Sequence, residues 1–132
     1  MKDGGTGKHT MENTPHELKE RTKLFARRII RLYVSLPKDT VSQVLGKQVL
    51  RSGTSVGANY REANRGRSKA EFVSKMGDSL KELEETAYWL ELLTDEHIVR
   101  RAKMELLLDE TSQLNAIFTT IIKKSRGGND RF

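Results

Sequence analysis

Apolar residues recur at alternating steps of four and three along the first long stretch of the chain. Such steps put the side chains on one face of a helix that packs against neighbours at a low crossing angle. Pro37 ends the pattern, because the residue before a proline disfavours helical backbone. The sequence therefore predicts a first helix from Glu17 to about Pro37. Its buried row is Leu18, Thr22, Phe25, Ile29, Leu32 and Leu36.

The second stretch has weaker helical signals. Asp39 or Thr40 is expected to cap its first turn. Gly53 and Gly57 interrupt its middle, and each glycine costs a helix interior about 1 kcal/mol relative to alanine. A loop is the competing interpretation. We expect a helix, because Gly53, Gly57 and Ala58 allow a neighbouring backbone to come close. The predicted face is Val41, Leu45, Gln48, Val49, Ser52, Val56 and Tyr60.

Two further helices follow with clearer boundaries. Gly66 is predicted to end the second helix in a left-handed conformation, and Ser68 with Glu71 is predicted to form a capping box for the third. Gly127 and Gly128 are predicted to end the fourth. The third helix carries the row Val73, Met76, Leu80, Leu83, Ala87, Leu90 and Thr94. The fourth carries Met104, Leu107, Thr111, Leu114, Phe118 and Ile121.

Four long helices with short connections predict an all-α fold, an up-down-up-down antiparallel four-helix bundle. A chain of 132 residues suits one domain. We expect the bundle over residues 16–126, with flexible tails at 1–15 and 127–132. The chain has no cysteine, its N-terminal residues are polar, and no apolar run is long enough to cross a bilayer, so we expect a cytoplasmic protein without membrane contact.

Positive charge is concentrated in the first half of the chain. The net charge is +6, yet residues 1–70 hold 15 Lys and Arg against 6 Asp and Glu, whereas residues 71–132 hold 9 against 12. Such a division is typical of proteins that contact polyanions, and equally of proteins in which two surfaces meet each other. Composition does not separate these interpretations.

The basic stripe of the first helix consists of Lys19, Lys23, Arg27 and Arg31, with Arg28 beside it. Like charges four residues apart destabilise a helix by a few tenths of a kcal/mol, so a compensating charge is expected. One candidate is the acidic residues of the third helix, in the same bundle or across a subunit contact. The other is phosphate, which arginine binds well.

A second basic group surrounds the connection between the second and third helices. Only Tyr60 is an aromatic neighbour, so contact with a nucleic-acid backbone is more plausible than base stacking. Together with the stripe, this group defines the candidate nucleic-acid-binding residues: Arg27, Arg31, Lys47, Arg51, Arg61, Arg65, Arg67 and Lys69.

Catalytic, metal and cofactor sites are not indicated. The run GGTGKH at residues 4–9 lacks the spacing and the preceding strand of a phosphate-binding loop. His97, beside Asp95 and Glu96, has no partner at ligand spacing, and those acids are better explained as a helix end and an N-cap. The acids of the third helix lack the Glu-x-x-His spacing of carboxylate-bundle metal sites. We therefore expect no enzymatic activity, no metal and no cofactor.

Apolar residues cover most sides of the third helix near its end, more than one bundle core can bury. This excess predicts an oligomer interface at Tyr88, Trp89, Leu92 and Leu93.

Three stretches together resemble a known family: RSGTSVGANYREA at 51–63, RSKAEF at 67–72 and ETAYWLELL at 85–93. The chain is similar over residues 18–122 to the bacterial four-helix-bundle proteins named for the 23S rRNA intervening sequence. That family resembles the accessory variability proteins of diversity-generating retroelements, which form basic homopentamers and associate with nucleic acid and reverse transcriptase. The resemblance implies a helix through Gly53 and Gly57 and a homopentamer, and less directly an association with RNA or DNA.

One departure from the family pattern concerns residues 58–63. Many members have ANIxEG there, whereas this chain has ANYREA, which keeps the packing positions and adds a positive charge. Asn59 and Glu62 are predicted to make polar contacts between helices, and a ligand site is the alternative.

Two hypotheses of function follow. The first is a non-enzymatic oligomeric bundle that binds nucleic acid through its basic face. The alternative is a structural or protein-interaction scaffold that binds a protein partner and no nucleic acid.

Overall fold

The computed structural model describes residues 14–130. Four helices make up this part of the chain: α1 (Pro15–Ser35), α2 (Thr40–Asn64), α3 (Lys69–Asp95) and α4 (Arg101–Asp130). The run at residues 4–9 and most of the predicted N-terminal tail lie outside the described residues. The predicted all-α fold is confirmed, and no strand occurs within residues 14–130.

Side-chain caps begin the first three helices. Thr14 and Pro15, which were assigned to the tail, are the cap and the first residue of α1, and the Thr14 hydroxyl accepts the Glu17 N–H. Of the two predicted candidates, Asp39 and Thr40, it is Asp39 that caps α2, by accepting the Ser42 N–H. The capping box at α3 also forms, since the Ser68 hydroxyl accepts the Glu71 N–H.

The reciprocal half of that box differs from the usual pattern. The Glu71 carboxylate accepts the N–H of Arg67, one residue before the cap. The carboxylate therefore orders the connection between α2 and α3 as well as the first turn of α3.

Two predictions about glycines at helix ends are wrong. Gly66 does not take a left-handed conformation: no glycine in the described residues has a positive φ. Arg65 is instead the C-cap of α2. A Cβ at Gly66 would lie 3.1 Å from the Ala63 carbonyl oxygen. Close packing therefore favours glycine here. Gly127 and Gly128 do not end α4, which continues to Asp130, and no left-handed glycine stops it.

Helices that are adjacent in sequence pack side by side, and α4 returns to α1. The contact is most extensive between α2 and α3 and sparsest, among the neighbouring pairs, between α4 and α1. Thr86 pairs with Ser52, and Lys75 with Glu62, so partner positions rise along α2 as they fall along α3. This register is antiparallel, as expected for an up-down-up-down bundle.

Glycines of α2 bring α1 close. A Cβ at Gly46 would lie 2.6 Å from Leu36, one at Gly53 would lie 2.7 Å from Ile29, and one at Gly57 would lie 3.1 Å from Thr22. The predicted close approach at Gly53 and Gly57 is therefore confirmed. The predicted third member is wrong, because Ala58 is exposed. Gly46, about two turns before Gly53 on the α1 side, takes that role.

The core follows the predicted rows with local shifts. At the start of α2 the structure buries Ser42 and Gly46, whereas Val41 is 59% exposed. The predicted face is therefore wrong in this turn, because the small residues lie where α1 comes closest. The fully buried large side chains are Leu18, Phe25, Ile29, Val49, Val56, Met76, Leu83, Leu90, Leu93, Met104, Leu114 and Phe118.

Candidate nucleic-acid interface

The basic stripe lies on the outer side of α1. Lys19, Lys23, Arg27 and Arg31 are all exposed. None of them forms an ion pair with another residue in the described part of the chain. The structure of the single chain therefore shows no acidic partner for the stripe among the described residues.

Three acids of α3, Asp78, Glu82 and Glu85, pair with other cations. Arg51 on α2 contacts both Glu82 and Glu85, with its Nη1 3.2 Å from Glu82 Oε1. Lys75 lies 2.9 Å from Glu62 and 3.8 Å from Asp78. The hypothesis that α3 neutralises the stripe within one bundle is therefore wrong, because no residue of the stripe forms an ion pair with an acid of α3 among the described residues. A contact across subunits stays a prediction.

Arg51 differs from the other candidate residues because of this pairing. A guanidinium that already binds two carboxylates has fewer free donors for phosphate. The predicted interhelix role of Glu62 is confirmed by its bond with Lys75, which lowers the pKa of the Glu62 carboxyl. The predicted interhelix contact of Asn59 is wrong, because the Asn59 side chain makes no hydrogen bond among the described residues.

One cluster of cations forms where the first turns of α1 meet the last turns of α2. Lys19, Arg61, Asn64 and Arg65 line a recess of about 140 Å³. The structure thus brings together two predicted residues of α2 and one member of the α1 stripe. Arg65 lies near enough to Glu62 to contribute to the lowered pKa of that carboxyl, after Lys75.

The remaining candidates lie around this cluster or far from it. Arg67 and Lys69 are exposed in the α2–α3 connection and the first turn of α3. Lys47 is exposed near the opposite end of α2, and Arg27 lies midway along the stripe. Arg31, in the last turns of α1, lines a separate groove against α4.

Tyr60 cannot stack on the bases of a nucleic acid, although it lies near the basic residues of α2. Its side chain is 2% exposed, and its ring packs 5.5 Å from that of Phe118. Burial raises the pKa of the Tyr60 hydroxyl. The basic surface therefore lacks the aromatic platform on which bases would stack.

The predicted oligomer interface is divided between surface and core. Tyr88 is 54% exposed, and its ring packs edge-on at 5.1 Å from that of Trp89. Trp89 and Leu92 are half-buried. Leu93 is fully buried in the bundle core, so its assignment to a subunit interface is wrong, because its side chain lies on the inward face of α3.

Sequence reasoning missed two cations beside α4. Arg28 and Lys103 line the same groove as Arg31. Arg28 was recognised only as a neighbour of the stripe, and no periodicity connects it to Lys103. Pairing a residue of α1 with one of α4 requires the tertiary structure.

Other site types receive no support from the described residues. No three His, Asp or Glu side chains in residues 14–130 are grouped as metal ligands. No helix described for this chain has the length and apolar character needed to span a membrane.

The fold and the basic surface define a class: a four-helix bundle with positive charge concentrated on α1 and the end of α2. The chain belongs to the family of 23S rRNA-intervening sequence proteins, whose model matches residues 16–120. The family resemblance is thereby confirmed. Its relation to the accessory variability proteins stays a prediction.

A solved structure of the same kind is similar to this chain. It is the crystal structure of a protein of unknown function from the S23 ribosomal protein family of Bacteroides thetaiotaomicron. The two are 40% identical, the match covers 83% of this chain and 97% of that one, and the TM-score is 0.78. No curated protein matches the chain.

Proposed function

We propose that this protein binds the phosphate backbone of nucleic acid, without enzymatic activity, through a basic surface on α1 and the α2–α3 end of the bundle. The basic surface consists of Lys19, Lys23, Arg27, Arg31, Arg61, Arg65, Arg67 and Lys69. One observation carries the proposal. These cations form no ion pair in the described part of the chain, while Asp78, Glu82 and Glu85 of α3 pair with Lys75 and Arg51.

The length of the stripe suits several phosphates. Lys19 and Arg31 lie twelve residues apart, hence about 18 Å along α1 at about 1.5 Å per residue. One strand of B-DNA carries a phosphate about every 3.4 Å along the helix axis. The stripe therefore spans about five phosphates, and Arg61 and Arg65 extend the contact beyond Lys19.

Oligomerisation is part of the proposal. The family resemblance implies a homopentamer, and repeating the basic surface around a ring multiplies the number of phosphate contacts. Each contact releases counterions, so the gain appears as a steeper salt dependence. Location in the cytoplasm stays a prediction.

The test is a salt titration with a single-stranded RNA oligonucleotide. Each phosphate contact contributes about 0.7 to the slope of log K against log salt. We expect a wild-type slope of magnitude about 3 or more, and a slope smaller by about 0.7 in Arg27→Gln and in Arg61→Gln.

Lys81→Gln is the matched control, because Lys81 is an exposed lysine of α3 outside the basic surface. Its slope should equal that of the wild type. Absence of binding at low salt, or equal losses in all three variants, would contradict the proposal.

A protein-interaction scaffold is the second candidate. Apolar side chains accompany the cations on the outside of α1: Leu24 is 50%, Ile30 44% and Val34 67% exposed. If a protein partner covers these apolar side chains, we expect tight binding that depends little on salt concentration. Ile30→Gln should then weaken capture of that partner and leave RNA binding unchanged.

A further inference from the structure

A groove between α1 and α4 exists because these two helices share few contacts. Near the start of α1, the two are joined by Arg21, whose Nε and Nη2 donate to the Glu110 carboxylate at 2.7 and 2.8 Å. Toward the end of α1 the gap opens into a groove of about 340 Å³. That volume lies at the lower end of the range for small-molecule sites.

The groove has a cationic rim and an apolar floor. Arg28 and Arg31 contribute guanidiniums from α1, and Lys103 contributes an ammonium from α4. Leu32, Met104 and Leu107 supply apolar surface, and no acidic side chain lines the groove. Apolar walls reduce the local screening of charge, so an anion held here interacts with the cations more strongly than it would on an open surface.

The three cations are uncompensated among the described residues. None of them takes part in an ion pair there. Arg101, two residues before Lys103, reaches instead toward Asp95 at 4.0 Å. The Ser35 hydroxyl donates to the Leu32 carbonyl at 2.7 Å, so the rim cations are the donors available to a ligand.

We propose that this groove binds a phosphate group, held by Arg28, Arg31 and Lys103. Two guanidiniums provide paired N–H donors that match phosphate oxygens, and the ammonium adds a third positive charge from the facing helix. Where the phosphate belongs to a polynucleotide, the inference rests on the proposed function and extends the basic surface from α1 to α4. A free phosphorylated ligand is the other source of the same chemistry.

The first experiment titrates inorganic pyrophosphate into the full chain and follows amide and Arg side-chain NMR signals. We expect saturable shifts at Arg28, Arg31 and Lys103. Binding should be about tenfold weaker in Arg28→Gln and in Lys103→Gln, since each loses one charge-assisted contact. Lys81→Gln should bind like the wild type, and equal thermal unfolding midpoints should show that all variants fold.

The second experiment repeats the RNA salt titration with the same variants. A slope smaller by about 0.7 in Arg28→Gln and Lys103→Gln supports a backbone phosphate in the groove. Pyrophosphate binding in the groove without any RNA binding by the wild type supports a free phosphorylated ligand, and contradicts the proposed function alone.

Two results would overturn the groove site. The first is that pyrophosphate does not bind, or that Lys81→Gln weakens its binding as much as Arg28→Gln and Lys103→Gln do. The other is RNA binding whose slope changes in Arg27→Gln and Arg61→Gln but not in Arg28→Gln and Lys103→Gln, with no pyrophosphate shifts in the groove. The second result leaves the proposed function standing.

Discussion

His97 ends α3 with a backbone conformation that glycine usually supplies. Its φ is 61°, the one positive φ of a non-glycine residue in the described part of the chain. The His97 N–H donates to the Thr94 carbonyl and the Ile98 N–H to that of Leu93, each at 3.0 Å. This is the Schellman pattern of a helix end. Because the left-handed region strains a residue with a Cβ, the histidine stores conformational energy here.

Replacing His97 by glycine should therefore stabilise the protein. We expect a gain of about 0.5–1 kcal/mol in the free energy of unfolding, measured by urea denaturation. His97→Ala removes the same side chain but keeps the Cβ, so it should not stabilise the protein. Equal effects of the two substitutions would contradict the conformational explanation.

Gly53 and Gly77 offer a matched pair for the close approach of α1 and α2. A Cβ at Gly53 would lie 2.7 Å from Ile29 Cγ1 and 2.9 Å from Ile29 Cγ2, whereas at Gly77 it would meet nothing within 4 Å. A branched side chain in a packed core has little freedom to move away.

Gly53→Ala should cost about 1–3 kcal/mol of stability, because the two helices must separate. Gly77→Ala should gain about 0.5–1 kcal/mol, because alanine is the better helix former. Both values come from the same denaturation experiment. If Gly53→Ala stabilised the protein as much as Gly77→Ala, the predicted clash between a Cβ at Gly53 and Ile29 would be contradicted.

Hydroxyl groups join α2 and α3 inside the bundle. Thr86 Oγ1 lies 2.8 Å from Ser52 Oγ and 2.7 Å from the Glu82 carbonyl oxygen. Ser79 donates to the Val56 carbonyl at 2.7 Å. All three side chains are buried, so an unpaired partner has no water to replace the lost bond. These bonds add specificity to the most extensive contact between helices.

Thr86→Val keeps the shape and removes the hydroxyl. It should cost about 1–2 kcal/mol, because Ser52 loses a buried partner. In a double-mutant cycle with Ser52→Ala, the double variant should lose less than the sum of the two single variants. Thr120→Val, at an exposed position of α4, should stay within about 0.5 kcal/mol of the wild type. Strict additivity would show that the two hydroxyls do not interact.

Predictability from sequence varies within these helices. The row of α1 was predicted almost completely, since large apolar residues mark its buried face. In α3, Ser79 and Thr86 are buried but were absent from the predicted row, because small hydroxyl residues occur on both exposed and buried faces. Which face they occupy depends on how closely α2 approaches, and periodicity carries no information on that distance.

The whole molecule presents Tyr88, Trp89 and Leu92 along one partly exposed stretch of α3. Trp89 Nε1 is buried and has no hydrogen-bond partner in the described part of the chain. Partly exposed aromatic residues are enriched in protein interfaces. We therefore predict that copies of the chain associate through this stretch.

Light scattering at two concentrations tests the association. A homopentamer has five times the chain mass of 15.1 kDa. Tyr88→Asp should shift the population toward the monomer, because a charge buried in an interface is costly without a partner. Leu106→Asp, at a 75% exposed position of α4, is the control and should leave the mass unchanged. A wild-type monomer at both concentrations would contradict the prediction.

By itself, the sequence determined the four helices, the cap of α3 at Ser68, and most of the buried rows, because these depend on spacing within one segment. Only the tertiary structure decided which charges remain unpaired. Arg51 and Arg31 look equivalent in the sequence, yet Arg51 meets two carboxylates of α3, and Arg31 faces Lys103 across the α1–α4 groove. The physical reason is that charge compensation acts across helices, so it depends on which faces become neighbours.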